Sequence, residues 1–333
     1  MNSFKLLLRS SIFLALTSLL GLGQAEGKNV APLANKPAQA AHGSPSSPSS
    51  RDFYELNFPP GPALAQILWT TQGEGAKKIK GRVLASGKVR VPKNVLLKVI
   101  LSTEALEHMD SIEQLAALPV NNIIASNLDF TDDHMRHLKN FKGLAHLNLD
   151  ETLVTDKSLA LIATFQDLMT LRISVTDVTG TNFEALSKLP RLLNLNIHGI
   201  TLKPGCLAKL KGALTHLLDL DISTVNLGRE DAAALAPAIE LKSLDLAGNK
   251  GFDDSCVVHL AGMKRLKSLK LVDTSVTDKS VTALSKLPNL KSLIVRNRTF
   301  WRSGSPSETN GRLKIVDSAS KSNATLEIFK PLH

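Results

Sequence analysis

The chain has 333 residues, of which 43% are apolar, so a sizeable core in one large or two ordinary domains is possible. Only 4% are aromatic, which leaves Leu, Ile, Val and Ala to supply most of that core. The formal net charge of +10 bears on solubility and on anionic neighbours and does not favour any particular fold.

The N-terminus predicts an export signal. Lys5 and Arg9 precede an apolar run over residues 10–22, and small residues flank a plausible cleavage point after Ala25. A membrane span needs about 20 apolar residues, so a signal peptide over 1–25 is favoured, with an uncleaved anchor as the alternative. We expect an exported protein, periplasmic, cell-surface or secreted, with no transmembrane span in the mature chain.

Two further segments precede the main body of the sequence. Residues 26–52 are rich in Pro, Ser and Ala and predict a disordered linker. Residues 53–118 predict an N-terminal cap module with a β-hairpin and short helices. Alternating apolar residues indicate strands on either side of a turn at 92–94, and the spacing of Ser111 and Gln114 predicts a capping box.

A period of 24 or 25 residues then dominates the chain. The pattern LxxLxL recurs in about eight units over residues 119–300, and its first member is degenerate. The units begin at residues 120, 144, 168, 192, 217, 241, 266 and 290. A fixed period of this length predicts a repeat architecture.

The clearest unit, LAHLNLDETLVTDKSLALIATFQD at 144–167, explains the period. Leu147 and Leu149 point inward from a short strand, and Leu159, Ile162 and Phe165 recur at helical spacing. One unit cannot bury its apolar face alone, whereas stacked units can, with parallel strands about 4.8 Å apart. Because strands take less room than helices, we expect strands on a concave face and helices on a convex one.

The LxxLxL and VTD motifs resemble the leucine-rich-repeat family, in the form common in exported bacterial proteins. The resemblance implies an α/β fold, a right-handed, ribonuclease-inhibitor-like solenoid, and binding proteins of many kinds. The repeats are also similar to those of F-box ubiquitin-ligase subunits, but no F-box-like segment is seen and the export signal argues against that role. Residues 301–333 are expected to form a C-terminal cap or tail, with Phe300 and Trp301 closing the core.

The exposed positions of LxxLxL predict a binding surface on the concave face. Three acidic residues, Asp219, Asp221 and Asp245, cluster in the middle repeats and suit a cation or a cationic group of a partner. The alternative is that these residues form an ordinary solvent-exposed row of side chains, in which Arg172 and Lys270 reduce the repulsion between the carboxylates. The remaining candidates on this face are His146, Asn148 and Asn196.

A column of basic residues provides a second candidate surface. Lys242, Lys267 and Lys291 stack, with Arg296 nearby, and could meet an anionic polysaccharide, a lipid head group or an acidic protein. The alternative is ordinary solubilising surface. Nucleic acid is disfavoured because no aromatics are interleaved with the basic residues and because export is expected.

Catalytic and metal motifs are not found. His134 and His137, with nearby acids, have helical spacing for zinc but no fuller ligand set, so neither a metal nor a cofactor is predicted. Cys206 and Cys256 lie two repeats apart, about 10 Å, which is too far for a disulfide. The sequence predicts a non-catalytic protein that binds a protein or glycan, or else a structural envelope protein that docks on an anionic surface.

Overall fold

The computed structural model describes residues 52–71, 79–296 and 314–316, with backbone alone for 296 and 314–316, and all belong to one compact unit, residues 48–333. Outside the described residues lie the predicted signal peptide, the linker up to residue 51, Phe300, Trp301 and, apart from 314–316, the rest of the predicted C-terminal cap.

Fourteen strands lie in the described ranges. They are β1 (Phe53–Asn57), β2 (Ala65–Thr71), β3 (Gly81–Leu84), β4 (Lys88–Pro92), β5 (Val95–Leu101), β6 (Val120–Ile124), β7 (His146–Asn148), β8 (Thr170–Arg172), β9 (Asn194–Asn196), β10 (Asp219–Asp221), β11 (Ser243–Asp245), β12 (Ser268–Val272), β13 (Ser292–Arg296) and β14 (Lys314–Val316).

The helices are short. The α-helices are α1 (Met109–Glu113), α2 (Asp132–Met135), α3 (Ser158–Ile162), α4 (Lys211–Leu214), α5 (Arg229–Ala232) and α6 (Asp278–Leu284). The 3-10 helices are Thr103–His108, Gln114–Ala117, Arg136–Leu138, Phe183–Lys188, Cys206–Leu210, Ala233–Leu235 and Val257–Leu260. One or two turns between strands leave little room for α-helical bonding, so 3-10 geometry is common.

The segment before the repeats contains strands of both directions. β2 pairs antiparallel with β3 and with β5, and β5 pairs parallel with β6, the first strand of the repeats. The strands on either side of the 92–94 turn do not pair with each other, because β4 pairs with β1 in a separate two-stranded sheet. The predicted capping box is wrong, since α1 begins at Met109 and Gln114 bonds to the backbone of Asn57 and Ser111.

Each repeat contributes one strand to a parallel ribbon. β6 to β14 pair in chain order and extend a sheet of twelve strands that begins at β3. The central leucines fall in register, so Leu147, Leu171 and Leu195 stack and are at most 2% exposed. Leu159, Ile162 and Phe165 cover them from the helical side, and the buried cluster continues from Leu56 to Val295.

A left-handed residue ends the turn after each of the strands β6 to β12. These residues have φ between 53° and 75°, and they are Asn127, Glu151, Val175, Gly199, Thr224, Gly248 and Asp273. We call them the turn column. The backbone N–H groups of the first six extend the ladder to the next repeat, as in Glu151 N–H to Ser174 O at 2.8 Å and Gly248 N–H to Val272 O at 2.7 Å.

Candidate binding site on the strand face

The outward side chains of β6–β13 form two columns, which we call the strand face. One column contains Ile124, Asn148, Arg172, Asn196, Asp221, Asp245, Lys270 and Ile294. The other contains Asn122, His146, Thr170, Asn194, Asp219, Ser243, Ser268 and Ser292. Parallel pairing without register shifts over these strands brings residues of successive repeats side by side.

A shallow cavity of about 220 Å³ lies at the centre of the strand face. It brings together six of the eight residues proposed from the sequence, leaving out His146 and Asn148. Its polar lining comprises Thr170, Arg172, Asn194, Asn196, Asp219, Asp221, Ser243, Asp245 and Lys270.

Four candidate side chains have a structural role as well. Each accepts a hydrogen bond from the backbone N–H two residues later and so ends its strand in an Asx turn. The acceptors are Asn148, Asn196, Asp221 and Asp245, and the distances lie between 2.9 and 3.0 Å. Each side chain is therefore held in one orientation, with one oxygen already used.

The two cations beside the cavity are paired, though not both as expected. The Lys270 ammonium donates to Asp245 Oδ2 at 2.7 Å, and this bond raises the pKa of Lys270, with a smaller contribution from the charge of Asp221. Arg172 instead donates to Asp150 at 2.6 Å. The expectation that Arg172 relieves the acidic ladder is wrong, because Asp150 on the neighbouring turn neutralises it.

Asp219 and Asp221 remain without a cationic partner among the described residues: no Lys, Arg or His nitrogen lies within 4.0 Å of either carboxylate. Asp219 is exposed. Asp221 Oδ1 accepts both the hydroxyl and the backbone N–H of Ser223, at 2.5 and 3.0 Å. The centre of the cavity is thus anionic and has one carboxylate fixed in place.

A second line of polar residues, missed by the sequence analysis, supports the strand face. Ser223 Oγ also lies 2.8 Å from His198 Nδ1, and Ser174 Oγ donates to Asn196 Oδ1 at 2.7 Å. In a catalytic triad the imidazole stands between serine and carboxylate. Here the serine stands between the other two, so the arrangement orients side chains and does not activate a nucleophile. The sequence signal for this line was the polar residue that lies two positions after each of the strands β7 to β10.

His146 lies apart from the cavity, on β7. Burial lowers the pKa of its imidazole, and the positive charge of Lys98 lowers it further. His146 and Asn148 belong to the part of the strand face formed by the first repeats.

The lysine column lies at the start of three strands. Lys242, Lys267 and Lys291 are exposed, and the backbone N–H groups of Lys267 and Lys291 donate to the carbonyl of the lysine before, at 2.8 and 2.9 Å. No carboxylate of the described chain lies within 4.0 Å of their ammonium groups. Arg296 ends β13 opposite Val272, and only its backbone is described.

The two histidines considered for zinc do not face a common site. His134 Nδ1 accepts the backbone N–H of Thr131 at 2.9 Å and so caps α2. His137 Nδ1 lies 2.7 Å from Glu113 Oε1. Cys206 and Cys256 are both buried and free.

No helix within the described ranges is both long and apolar enough to cross a membrane.

The period, the register of nine parallel strands and the helices behind them define an α/β leucine-rich-repeat solenoid. No protein-family model matches the sequence, and no curated protein matches it. The likeness to known proteins lies among solved structures.

An internalin from Listeria monocytogenes is 19% identical over 56% of this chain and 63% of its own, with a TM-score of 0.41. The leucine-rich-repeat ectodomain of the Arabidopsis receptor kinase HAESA, in complex with a peptide hormone, is 19% identical over 55% of this chain and 32% of its own, with a TM-score of 0.40. Internalin C2 from Listeria monocytogenes is 18% identical over 57% and 84%, with a TM-score of 0.40. This chain spans less than two thirds of the first two structures.

Proposed function

We propose that this protein is a non-catalytic binding protein that holds a cationic group of a protein partner on the strand face. The observation that carries the proposal is the pair of carboxylates, Asp219 and Asp221, which lie in the central cavity and form no ion pair among the described residues. Natural sites for Lys or Arg side chains supply carboxylates in this way, and such charged hydrogen bonds are stronger than neutral ones.

The geometry favours a protein over a glycan. The outward positions of β6–β13 contain no Phe, Tyr or Trp side chain on which a sugar ring could stack. The two ion pairs at the flanks, Arg172 with Asp150 and Lys270 with Asp245, offer charges of both signs to a polypeptide. Because the Asx turns fix Asn196, Asp221 and Asp245 before binding, less entropy is lost on association.

A binding comparison with defined peptides tests this function. Immobilised peptides rich in Lys and Arg, in Asp and Glu, or in Ser and Gly would be probed with the wild type and with the double variant Asp219→Asn/Asp221→Asn. We expect the wild type to prefer the basic peptides and the double variant to lose at least about tenfold in affinity.

The matched control is Glu107→Gln/Asp129→Asn, which removes two exposed charges away from the strand face. It should bind as the wild type does. Equal binding of basic peptides by both double variants would refute the proposal, as would a preference of the wild type for acidic peptides. Mass spectrometry of partners captured from the envelope fraction of the native host would then name the ligand.

The lysine column supports a second candidate function, a structural protein that docks on an anionic envelope surface. Its test is sedimentation with vesicles that contain phosphatidylglycerol, compared with vesicles of phosphatidylcholine alone. Lys242→Gln/Lys267→Gln/Lys291→Gln should abolish anionic binding, and Lys142→Gln/Lys188→Gln/Lys211→Gln should not. Binding should also fall between about 0.05 M and about 0.3 M salt, and retention at high salt would exclude this function.

Export is part of both proposals. The apolar run over residues 10–22 after Lys5 and Arg9 supports it. N-terminal sequencing of the chain recovered from its host should begin at Glu26. A first residue of Met1 would favour the uncleaved anchor.

A further inference from the structure

Three potential metal ligands meet where the segment before the repeats contacts the first repeat helix. Asp110 and Glu113 lie one helical turn apart on α1, and His137 belongs to the 3-10 helix that continues α2. His137 Nδ1 lies 2.7 Å from Glu113 Oε1 and 3.4 Å from Asp110 Oδ1. One ligand atom from each residue lies within 4.8 Å of the other two, and no other such set of three occurs in the described chain.

We propose that Asp110, Glu113 and His137 bind a divalent transition metal, with zinc as the best-fitting ion. Zinc takes imidazole nitrogen and carboxylate oxygen at about 2.0–2.2 Å, so tetrahedral ligand atoms stand about 3.4 Å apart. The His137 to Asp110 distance already matches, and the His137 to Glu113 distance needs to open by less than about 1 Å. Two carboxylates and a neutral imidazole neutralise the dication, and water fills the fourth position.

The three side chains are accessible enough to solvent for a metal ion to reach them. The side chains of Asp110, Glu113 and His137 are 95%, 36% and 31% exposed, so an ion can enter and only the first must be ordered. The imidazole favours zinc over the hard ions Mg²⁺ and Ca²⁺, which take oxygen ligands. The bound ion joins α1 to the repeat that follows it and so stabilises the contact between them.

Zinc titration of the full chain without an affinity tag tests this site, with heat of binding and melting temperature as the two measurements. We expect one saturable zinc ion per chain and a rise in melting temperature of about 5 °C at an excess of about 100-fold over the dissociation constant. Mg²⁺ should produce neither effect. Binding should weaken at acidic pH, because a metal-bound histidine must be deprotonated.

Three variants locate the ion. His137→Asn and Glu113→Gln should lose the zinc-dependent rise, and the matched control His259→Asn should keep it. If either of the first two fails to fold, Asp110→Asn decides the test, since that side chain is 95% exposed. Zinc binding that persists unchanged in the ligand variants, or no saturable binding in the wild type, would overturn the proposal. Neither result depends on the partner of the strand face.

Discussion

Asn249 shows how one buried polar residue ties two repeats together. Its side chain is fully buried and accepts the backbone N–H groups of Val225 and Leu227 at 3.1 and 2.9 Å. Its amide donates to the carbonyls of Ile222 and Leu246 at 2.8 and 2.9 Å. The equivalent positions in three other repeats contain Thr152, Thr176 and Thr274, whose hydroxyls make one backbone bond each.

Asn249→Ala should therefore cost about 3 kcal/mol or more of unfolding free energy, because four buried backbone groups lose their partner. Asn249→Thr should cost less, since a hydroxyl can still donate to Leu246 O. Urea unfolding followed by circular dichroism measures both. Asn289→Ala, at an exposed position, is the control and should change stability by less than about 0.5 kcal/mol. Similar losses for Asn249→Ala and Asn289→Ala would contradict this account.

A second residue-scale device explains the VTD motif. The Asp132 carboxylate accepts the backbone N–H and the hydroxyl of Thr155, at 3.0 and 2.7 Å, and the hydroxyl of Ser158. Asp156 does the same for Thr179 of the next repeat. In the motif at 154–156, Thr155 thus bonds to the repeat before and Asp156 to the repeat after, which links three successive repeats.

The pKa of Asp132 reports this link. Burial raises it, but the hydrogen bonds from Ser158 and Thr155 outweigh burial, so the pKa lies below its usual value. A carboxyl whose folded pKa is depressed contributes stability above its unfolded pKa of about 3.9, and that stability is lost as pH falls through the folded pKa.

Asp132→Asn should accordingly lower the unfolding free energy by about 1–2 kcal/mol near pH 7, and the difference from the wild type should shrink below about pH 4. Urea unfolding across this pH range gives the measurement. Asp133→Asn removes a neighbouring exposed carboxylate paired with Arg136 and should cost well under about 1 kcal/mol. If the difference in unfolding free energy between Asp132→Asn and the wild type does not change with pH, the charge of Asp132 does not cause the stabilisation.

At the scale of the element, the turn column sets how closely repeats stack. Five of its seven members are not glycine, although a left-handed backbone is costly for a β-branched residue such as Val175. Gly248, with φ 75°, has room for no side chain, since an added Cβ would lie 2.5 Å from Thr224 Oγ1.

Gly248→Ala should destabilise the protein by about 1–3 kcal/mol through backbone strain and this contact. In a Thr224→Gly background the cost should be smaller, because the contact with the hydroxyl is gone, and a double-mutant cycle isolates the difference. Gly143→Ala is the control, with the nearest atom at 4.0 Å. If Gly248→Ala lowers the unfolding free energy by the same amount in the Thr224→Gly background, backbone strain alone causes the destabilisation.

At the scale of the whole compact unit, the hydrophobic core is continuous from the segment before the repeats into the repeats. β5 pairs with β6, and the buried cluster includes residues of both parts. Nearest-neighbour coupling along a solenoid of this kind makes adjacent units unfold together when the interface is as apolar as the core.

We therefore expect a single unfolding transition. Trp301→Phe leaves Trp69 on β2 as the sole tryptophan, so that its fluorescence follows the initial segment while circular dichroism follows the whole chain. The two transitions in urea should coincide. Non-coincident midpoints would show that the segment before the repeats unfolds separately. Zinc added to the same experiment should raise both midpoints together.

The sequence by itself determined the repeat, its period and the two outward columns. These depend on the alternation of side chains along a strand and on a fixed spacing, both of which are local properties. Asp219, Asp221 and Asp245 therefore fall beside one another as the period predicts, and Lys242, Lys267 and Lys291 stack.

Only the tertiary structure decided which of these charges are free for a partner. Arg172 pairs with Asp150, 22 residues away, and Ser223 orients Asp221, while Lys270 neutralises Asp245 and Asp219 remains open. The same holds for the pairing of β4 with β1 and for the meeting of His137 with Glu113, 24 residues apart. Such contacts depend on side-chain rotamers and on the stacking distance between repeats. A pattern along the chain records neither of these.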